Sequence, residues 1–237
     1  MTEIKAILFD AGRVLLFPSS GHWFISPRFY EIVKKEIYKK IPKDKVELAF
    51  KKGIHYLSER ILVSSLDEEF ELFKHFYEII GDELPELELS ERDISELAED
   101  LVYNCDKYSF YEDAKLVLAQ LKYKYKIAII SDAWPSLEGV FKNSAYNSYI
   151  DTIVISSLLG VLKPHPLMYE TALNEFKILP SEAIFIDDNL KNCIGAIELG
   201  IQGVLLCRNK CEYYLHKILS IGKKYKVIHN LEQVEEI

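Results

Sequence analysis

Short apolar runs punctuate this chain, and most of them stop at a polar or charged residue. Ala6-Ile7-Leu8-Phe9, Ile127-Ala128-Ile129-Ile130, Ile153-Val154-Ile155, Ala183-Ile184-Phe185-Ile186 and Gly203-Val204-Leu205-Leu206 are continuous rather than alternating. Such runs predict strands buried on both faces of a parallel sheet. The first stops at Asp10, the second at Ser131-Asp132, the third at Ser156-Ser157 and the fourth at Asp187-Asp188. Between them the apolar positions fall at helical spacing. Residues 111–125 predict a helix with Leu116, Leu118 and Leu121 apolar, and another follows Pro135. Pro166 opens one that carries Met168, Tyr169, Ala172, Leu173 and Phe176. The next carries Ile194, Ile197 and Leu199 and closes at Gly200. Lys226-Val227-Ile228 adds a short edge strand, and residues 231–237 form a tail. Strand and helix alternating through short loops predict an α/β fold, a doubly wound parallel sheet.

One long segment departs from this alternation. Phe17-Pro18-Ser19-Ser20-Gly21 is a turn-rich break, and from about 26 to 104 the pattern is helical, with no strand. Tyr30, Val33 and Ile37 share a face, as do Val46, Phe50 and Leu57. Phe70, Phe73, Phe76, Tyr77 and Ile80 predict a helix capped by Ser65 with Glu68 and ended by Gly81-Asp82. Ser90 with Asp93 repeats the capping signal before Ile94, Leu97 and Leu101. The expectation is an α-helical domain over 18–105, inserted into a sheet domain made of 1–17 and 106–237.

The net charge of −8 argues against nucleic acid as a partner, because a phosphate backbone needs a basic face. No cationic start precedes an apolar stretch, and no run approaches the ~20 residues of a membrane span. The sequence is therefore read as cytoplasmic, without a membrane partner. Four scattered cysteines do not make a disulfide framework, and Cys207 and Cys211 lack a second ligand pair for zinc. A homodimer is left open: the 15 tyrosines and 12 phenylalanines are mostly needed by the core.

Right-handed crossovers bring all strand C-termini to one edge of the sheet. That edge collects Asp10, Ser131, Asp187 and Asp188, with Lys163 from a nearby loop. Three carboxylates crowd together only if a cation offsets their repulsion. Mg²⁺ suits them, with the Gly12 carbonyl as a further oxygen ligand. A phosphate group then enters, its charge offset by the metal, Lys163, the Ser131 hydroxyl and loop N–H groups. Asp10 is a nucleophile that needs no base at pH 7, and attack on phosphorus forms an aspartyl-phosphate that water hydrolyses. Each residue also has an ordinary use, Ser131 and Asp187-Asp188 as helix caps and Lys163 as a solvated loop residue.

These stretches resemble the four motifs of the haloacid dehalogenase-like hydrolase superfamily, in order. They are Ile7-Leu8-Phe9-Asp10-Ala11-Gly12-Arg13-Val14, Ile127-Ala128-Ile129-Ile130-Ser131-Asp132, Gly160-Val161-Leu162-Lys163-Pro164-His165-Pro166 and Phe185-Ile186-Asp187-Asp188-Asn189. The resemblance implies a Rossmann-like sheet of strand order 5-4-1-2-3 and a helical cap between the first two motifs. It implies Asp10 as nucleophile, Ser131 and Lys163 on phosphate, and Mg²⁺ held by Asp10, the Gly12 carbonyl and Asp188, with Asp187 ligating or supporting. Asp132, Arg13 and His22 are candidate substrate contacts, and cap-entry residues Trp23, Arg28 and Tyr30 are candidates for selecting the leaving group.

The family's usual phosphatase motif carries a second Asp two residues after the nucleophile, as general acid and base, while some branches that include sugar-phosphate phosphatases carry Gly there. Gly12 stands there, and Arg13 cannot give up a proton. The leading expectation is a Mg²⁺-dependent phosphatase of a small phosphorylated metabolite, such as a sugar phosphate. The alternatives are a phosphate- and metal-binding module without turnover, and a 2-haloacid dehalogenase, which needs no second Asp but which the acidic pair Asp187-Asp188 disfavours.

Overall fold

The computed structural model describes residues 3–236. In chain order its strands are β1 (Ala6–Phe9), β2 (Leu16–Pro18), β3 (Tyr108–Phe110), β4 (Lys126–Ser131), β5 (Thr152–Ile155), β6 (Ala183–Asp187), β7 (Gln202–Leu206) and β8 (Lys226–Ile228). Its helices are α1 (Phe29–Ile32), α2 (Lys35–Tyr38), α3 (Lys43–Ser58), α4 (Leu66–Glu83), α5 (Glu91–Tyr103), α6 (Glu112–Leu121), α7 (Ser136–Lys142), α8 (Ser156–Leu159), α9 (Pro166–Phe176), α10 (Leu190–Glu198) and α11 (Lys210–Leu219). Two compact units result. One takes the chain up to Phe17, Phe110–Ala133 and everything from Phe141 onward; the other takes Pro18–Ser109 and Trp134–Val140. No helix among the described residues is long and apolar enough to cross a membrane.

The first unit is built on a six-stranded sheet of order β5-β4-β1-β6-β7-β8, parallel throughout. Its first five strands run in the expected order, and Lys226–Ile228 adds the sixth at the edge. Every residue of β1 and β6 is buried, and β4 is buried from Ile127 on. This is why their sequences do not alternate: both sheet faces are covered. On one face Leu8, Ala128, Ile130 and Phe185 pack with Met168, Tyr169, Ala172 and Phe176 of α9 and Ala196 of α10. Truncating a residue such as Phe185 to alanine would cost about 3–5 kcal/mol.

Local departures have local causes. The predicted 111–125 helix is shorter, and its buried positions are Ala114, Val117, Leu118 and Leu121, leaving Leu116 exposed. Of the 231–237 tail, Leu231–Glu236 form a 3₁₀ turn anchored by buried Leu231 and Val234, and Ile237 lies outside the described residues. β2 and β3, a separate two-stranded sheet, fall partly in the stretch expected to be a turn.

The second unit is helical, and its core joins Phe50 of α3, Phe73, Phe76, Tyr77 and Ile80 of α4, and Leu97, Ala98 and Leu101 of α5. Ser90 and Asp93 form the complete reciprocal cap on α5. At α4 only half forms: Ser65 accepts from the Glu68 N–H, but the Glu68 carboxylate turns back to the Ser64 N–H and hydroxyl. α4 also runs through Gly81-Asp82 to Glu83, because Leu84 must adopt a non-helical backbone before Pro85. Tyr30, Val33 and Ile37 do not share one helix; two single turns, α1 and α2, replace it, and Tyr30 is exposed.

Trp134–Val140 joins this unit through polar as well as aromatic contacts. The Trp134 ring stacks edge-on to Phe73 at 5.0 Å. Ser136 donates from its N–H to Glu69 at 2.7 Å and from its hydroxyl to the same carboxylate, while the Lys107 ammonium donates to the Ser136 hydroxyl and, at 2.7 Å, to the Leu101 carbonyl. All three side chains are buried.

Candidate active site

Parallel pairing fixes the site before any side chain is considered. β1 lies between β4 and β6, with Phe9 opposite both Ile129 and Ile186. One step further along, Asp10 stands level with Ile130 and Asp187, and its N–H donates to the Ile186 carbonyl at 2.9 Å. Ser131, the last residue of β4, is buried at the same edge. Asp188 follows at once in the loop to α10.

Lys163 comes from the loop between α8 and α9. Its N–H donates to Asp132 Oδ1 at 2.9 Å, which fixes the backbone, and its ammonium donates to Asp10 Oδ1 at 2.5 Å and Asp187 Oδ2 at 2.8 Å. The loop is held close by α10. A Cβ at Gly195 would stand 2.4 Å from Pro164 Cβ, so only glycine lets α10 pack against the residue after Lys163. Asp187 is fully engaged: Oδ1 accepts from the Asn189 N–H at 2.7 Å, and Oδ2 accepts from Asn192 Nδ2 at 3.0 Å as well as from Lys163. Asn192 is held by Tyr169, whose hydroxyl donates to the Asn192 carbonyl at 2.9 Å.

Electrostatics follow from this burial. Burial, then the neighbouring Asp187 and Asp188, push the Asp10 carboxyl well above the usual carboxylate range, while Lys163 pulls it back. Burial works against the Lys163 ammonium, but Asp10 and Asp187 together outweigh it and raise its pKa. Asp188 is raised by burial and by Asp187, with Arg13 opposing. Asp132 is raised by burial, with Lys163 opposing. A cation near Asp10 and Asp188 would relieve both.

The turn after Asp10 is tight. Leu15 and Leu16 N–H groups both reach the Ala11 carbonyl, and Arg13 sits in the left-handed region at φ 59°. Its guanidinium lies 3.7 Å from Asp188 Oδ2. Asp10, Asp187 and Asp188 each offer an oxygen, and these lie within 4.8 Å of one another. A hard, all-oxygen donor set of this kind fits a divalent cation such as Mg²⁺.

Of the residues singled out in the sequence, Asp10, Gly12, Arg13, Ser131, Asp132, Lys163, Asp187 and Asp188 all belong to the sheet unit. His22 belongs to the helical unit, where its ring meets Phe50 edge-on at 5.1 Å and burial lowers its pKa. Asn192 and Arg208 were not anticipated. Asn192 lies at helical spacing after the acidic pair, which is the one signal for it. Arg208, from just beyond β7, donates to the Arg13 carbonyl at 3.0 Å and the Val14 carbonyl at 2.6 Å, and it has no signal in a single sequence.

The haloacid dehalogenase-like hydrolase family matches residues 4–200. The chain belongs to that family. It is 31% identical over 111 residues to glyceraldehyde 3-phosphate phosphatase of Pyrococcus furiosus, an overlap of 44% of this chain and 46% of that one. The chain thus spans about half the length of the curated relatives it matches. Among solved structures, a phosphatase of the family from Thermococcus onnurineus superposes with a TM-score of 0.65 at 21% identity, covering 98% of this chain and 97% of that one. The L-2-haloacid dehalogenase of Xanthobacter autotrophicus gives 0.61 at 20% identity, with the same coverage. At these identities the two structures speak for the fold alone.

Proposed function

We propose that this family member is a Mg²⁺-dependent phosphatase of a small phosphorylated metabolite, working through an aspartyl-phosphate. The observation that carries the reading is the trio Asp10, Asp187 and Asp188, drawn to within 4.8 Å by strand register. A halide-releasing site has no use for three crowded carboxylates, and the similarity to a glyceraldehyde 3-phosphate phosphatase points the same way.

Asp10 and Asp188, with the Gly12 carbonyl, would hold the ion, which supplies positive charge for the phosphate oxygens. Asp187 is a supporting residue, because both its oxygens are taken. Asp10 Oδ attacks phosphorus in line, the P–O bond to the leaving group breaks, and water then cleaves the acyl phosphate. Lys163 favours the ionised form of Asp10 against burial. An ammonium has three N–H donors; two reach Asp10 and Asp187, and the third serves the phosphoryl group. Ser131 donates its hydroxyl to the same group, and Arg13 and Asp132 line the entrance. The helical unit acts as a cap, with His22 as a substrate contact. The substrate class is a small metabolite, sugar phosphates included, and Gly12 makes good leaving groups the easier ones.

The test is hydrolysis of p-nitrophenyl phosphate with Mg²⁺, with EDTA, and by Asp10→Asn. Turnover that requires Mg²⁺ and falls at least ~10³-fold in Asp10→Asn is expected. No turnover alongside measurable Mg²⁺ binding would favour a binding module instead. Chloride release from 2-chloropropionate without metal would favour a dehalogenase.

A further inference from the structure

Helix α11 is inside out. None of its residues is buried. At 3.6 residues per turn Tyr214, Leu215, Ile218 and Leu219 share one face, and that face is turned to solvent. Tyr214 is 65% exposed, Leu215 56%, Ile218 67% and Leu219 52%, and Ile221 just beyond is 79% exposed. Tyr213, His216 and Ser220, on the opposite side, are the half-buried ones. Only Tyr213 reaches the small cluster of Cys193, Leu205, Cys207 and Val227. The buried His216 Nδ1 has no hydrogen-bond partner among the described residues. An amphipathic helix on a monomer turns its apolar face inward; this one turns it outward.

We propose that this face is a dimer interface, covered by α11 of a second copy of this chain packed antiparallel across a two-fold axis. The stripe is self-complementary. Reversing the direction of one helix sets Tyr214 against Leu219 and Leu215 against Ile218, so each residue meets its counterpart twice, as an isologous contact requires. Area supports it. The five exposed side chains offer on the order of 600 Å² per copy, which for two copies reaches the ~1,200 Å² at which stable interfaces begin. Charge supports it as well. Lys210 and Lys217 lie on the flank away from the stripe, and Glu212 borders it beside Leu219. The same pairing brings Glu212 of one copy toward the Lys223-Lys224 turn of the other. An anionic lipid surface would meet the same lysines, but a chain of net charge −8 is repelled by it.

The proposal is independent of the chemistry at the sheet edge, and p-nitrophenyl phosphate hydrolysis enters only as a check on folding. Light scattering on the whole chain during gel filtration should give twice the chain mass of 27.5 kDa. Leu215→Lys and Ile218→Glu should each weaken the dimer at least ~100-fold, with unchanged hydrolysis and with the melting temperature of wild type diluted to monomer. Mixing those two variants should restore a dimer, because the introduced ammonium of one copy then faces the introduced carboxylate of the other; this arm tests the antiparallel register. A wild-type monomer at ~100 μM would overturn the proposal, as would a dimer that survives both substitutions or a mixture that stays monomeric. Binding of monomer to vesicles of anionic phospholipid, lost in Ile218→Glu, would replace it with a lipid-surface role.

Discussion

Arg208 grips Asp113 with two parallel hydrogen bonds of 3.0 Å and uses the rest of its guanidinium to hold the carbonyls of Arg13 and Val14. It also lies 3.7 Å over the Tyr111 ring. Asp113 in turn accepts from the Leu231 N–H at 3.0 Å. The turn that follows the candidate nucleophile, with its left-handed Arg13, is thus fastened from outside the site by one planar fork. A lysine keeps the charge but not the fork. Arg208→Lys is therefore expected to lower stability by about 1–2 kcal/mol and kcat by roughly 10-fold through a loosened turn. Denaturant unfolding and steady-state kinetics check the two parts. A variant with full kcat would mean that the turn holds its shape unaided.

Two adjacent carboxylates should behave differently. Asp187 is buried and bonded to Lys163, Asn189 and Asn192, whereas Asp188 is partly exposed and pairs with the exposed Arg13. Asp187→Ala removes one partner of a buried ion pair and should cost about 3–5 kcal/mol. Asp188→Asn should leave the melting temperature nearly unchanged and weaken Mg²⁺ binding at least ~10-fold, read by calorimetric titration. Equal losses of stability in both would contradict the division of labour between them.

Gly195 offers a steric handle on Lys163 from a distance. A methyl group there would lie 2.4 Å from Pro164 Cβ and 3.3 Å from its carbonyl oxygen. Either α10 or the Lys163 loop must move. Gly195→Ala is expected to destabilise by about 1–3 kcal/mol and to reduce kcat/KM more than Arg208→Lys does, because the displaced group is the ammonium itself. Thermal melts with kinetics on the same preparation separate the two effects.

Much of this arrangement is legible in sequence because parallel strands buried on both faces leave an unmistakable mark. Phe9-Asp10 and Ile186-Asp187 show where an apolar run meets a charge, and strand order then does the rest. What stays hidden depends on long-range contact. Gly195 looks like any helix glycine until Pro164 is beside it, and Arg208 looks like a surface cation until Asp113 arrives from 95 residues earlier. Glu69, set among the phenylalanines of α4, carries no mark of its burial against Ser136. α11 escapes a reading of the sequence because its apolar face signals a buried helix and the fold leaves it exposed.

Within the helical unit, Lys107 gives stability a pH dependence with a definite sign. Burial lowers its pKa to about 8, with Glu69 opposing. The unfolded chain, with lysine at about 10.4, therefore binds more protons than the folded one across pH 8 to 10, and stability must rise with pH over that window. The penalty for the buried ammonium is fully present below pH 8, amounts to roughly 3 kcal/mol, and vanishes above the unfolded value. Urea unfolding of the wild type against Lys107→Met at pH 7.5, 9 and 10 should show the difference shrink with rising pH. A constant difference would mean that Lys107 stays charged in the fold.

Gly12 is the position where chemistry can be added rather than removed. The usual phosphatase motif that the sequence resembles has an acid there, and the strained residue of this turn is Arg13 at φ 59°, whereas Gly12 is not among the left-handed glycines. A side chain at position 12 therefore avoids the left-handed backbone cost that Arg13 bears. A general acid matters when the leaving group is a poor one: p-nitrophenolate departs unaided, and an alkoxide does not. Gly12→Asp is accordingly expected to raise kcat/KM for alkyl phosphates such as glycerol phosphate by about 10–100-fold while changing p-nitrophenyl phosphate hydrolysis little. The ratio of the two rates is the readout, since it cancels any change in folding or metal content. An unchanged ratio would mean that leaving-group protonation in this enzyme comes from another residue, and His22→Ala measured with the same pair of substrates would then show whether it comes from the helical unit.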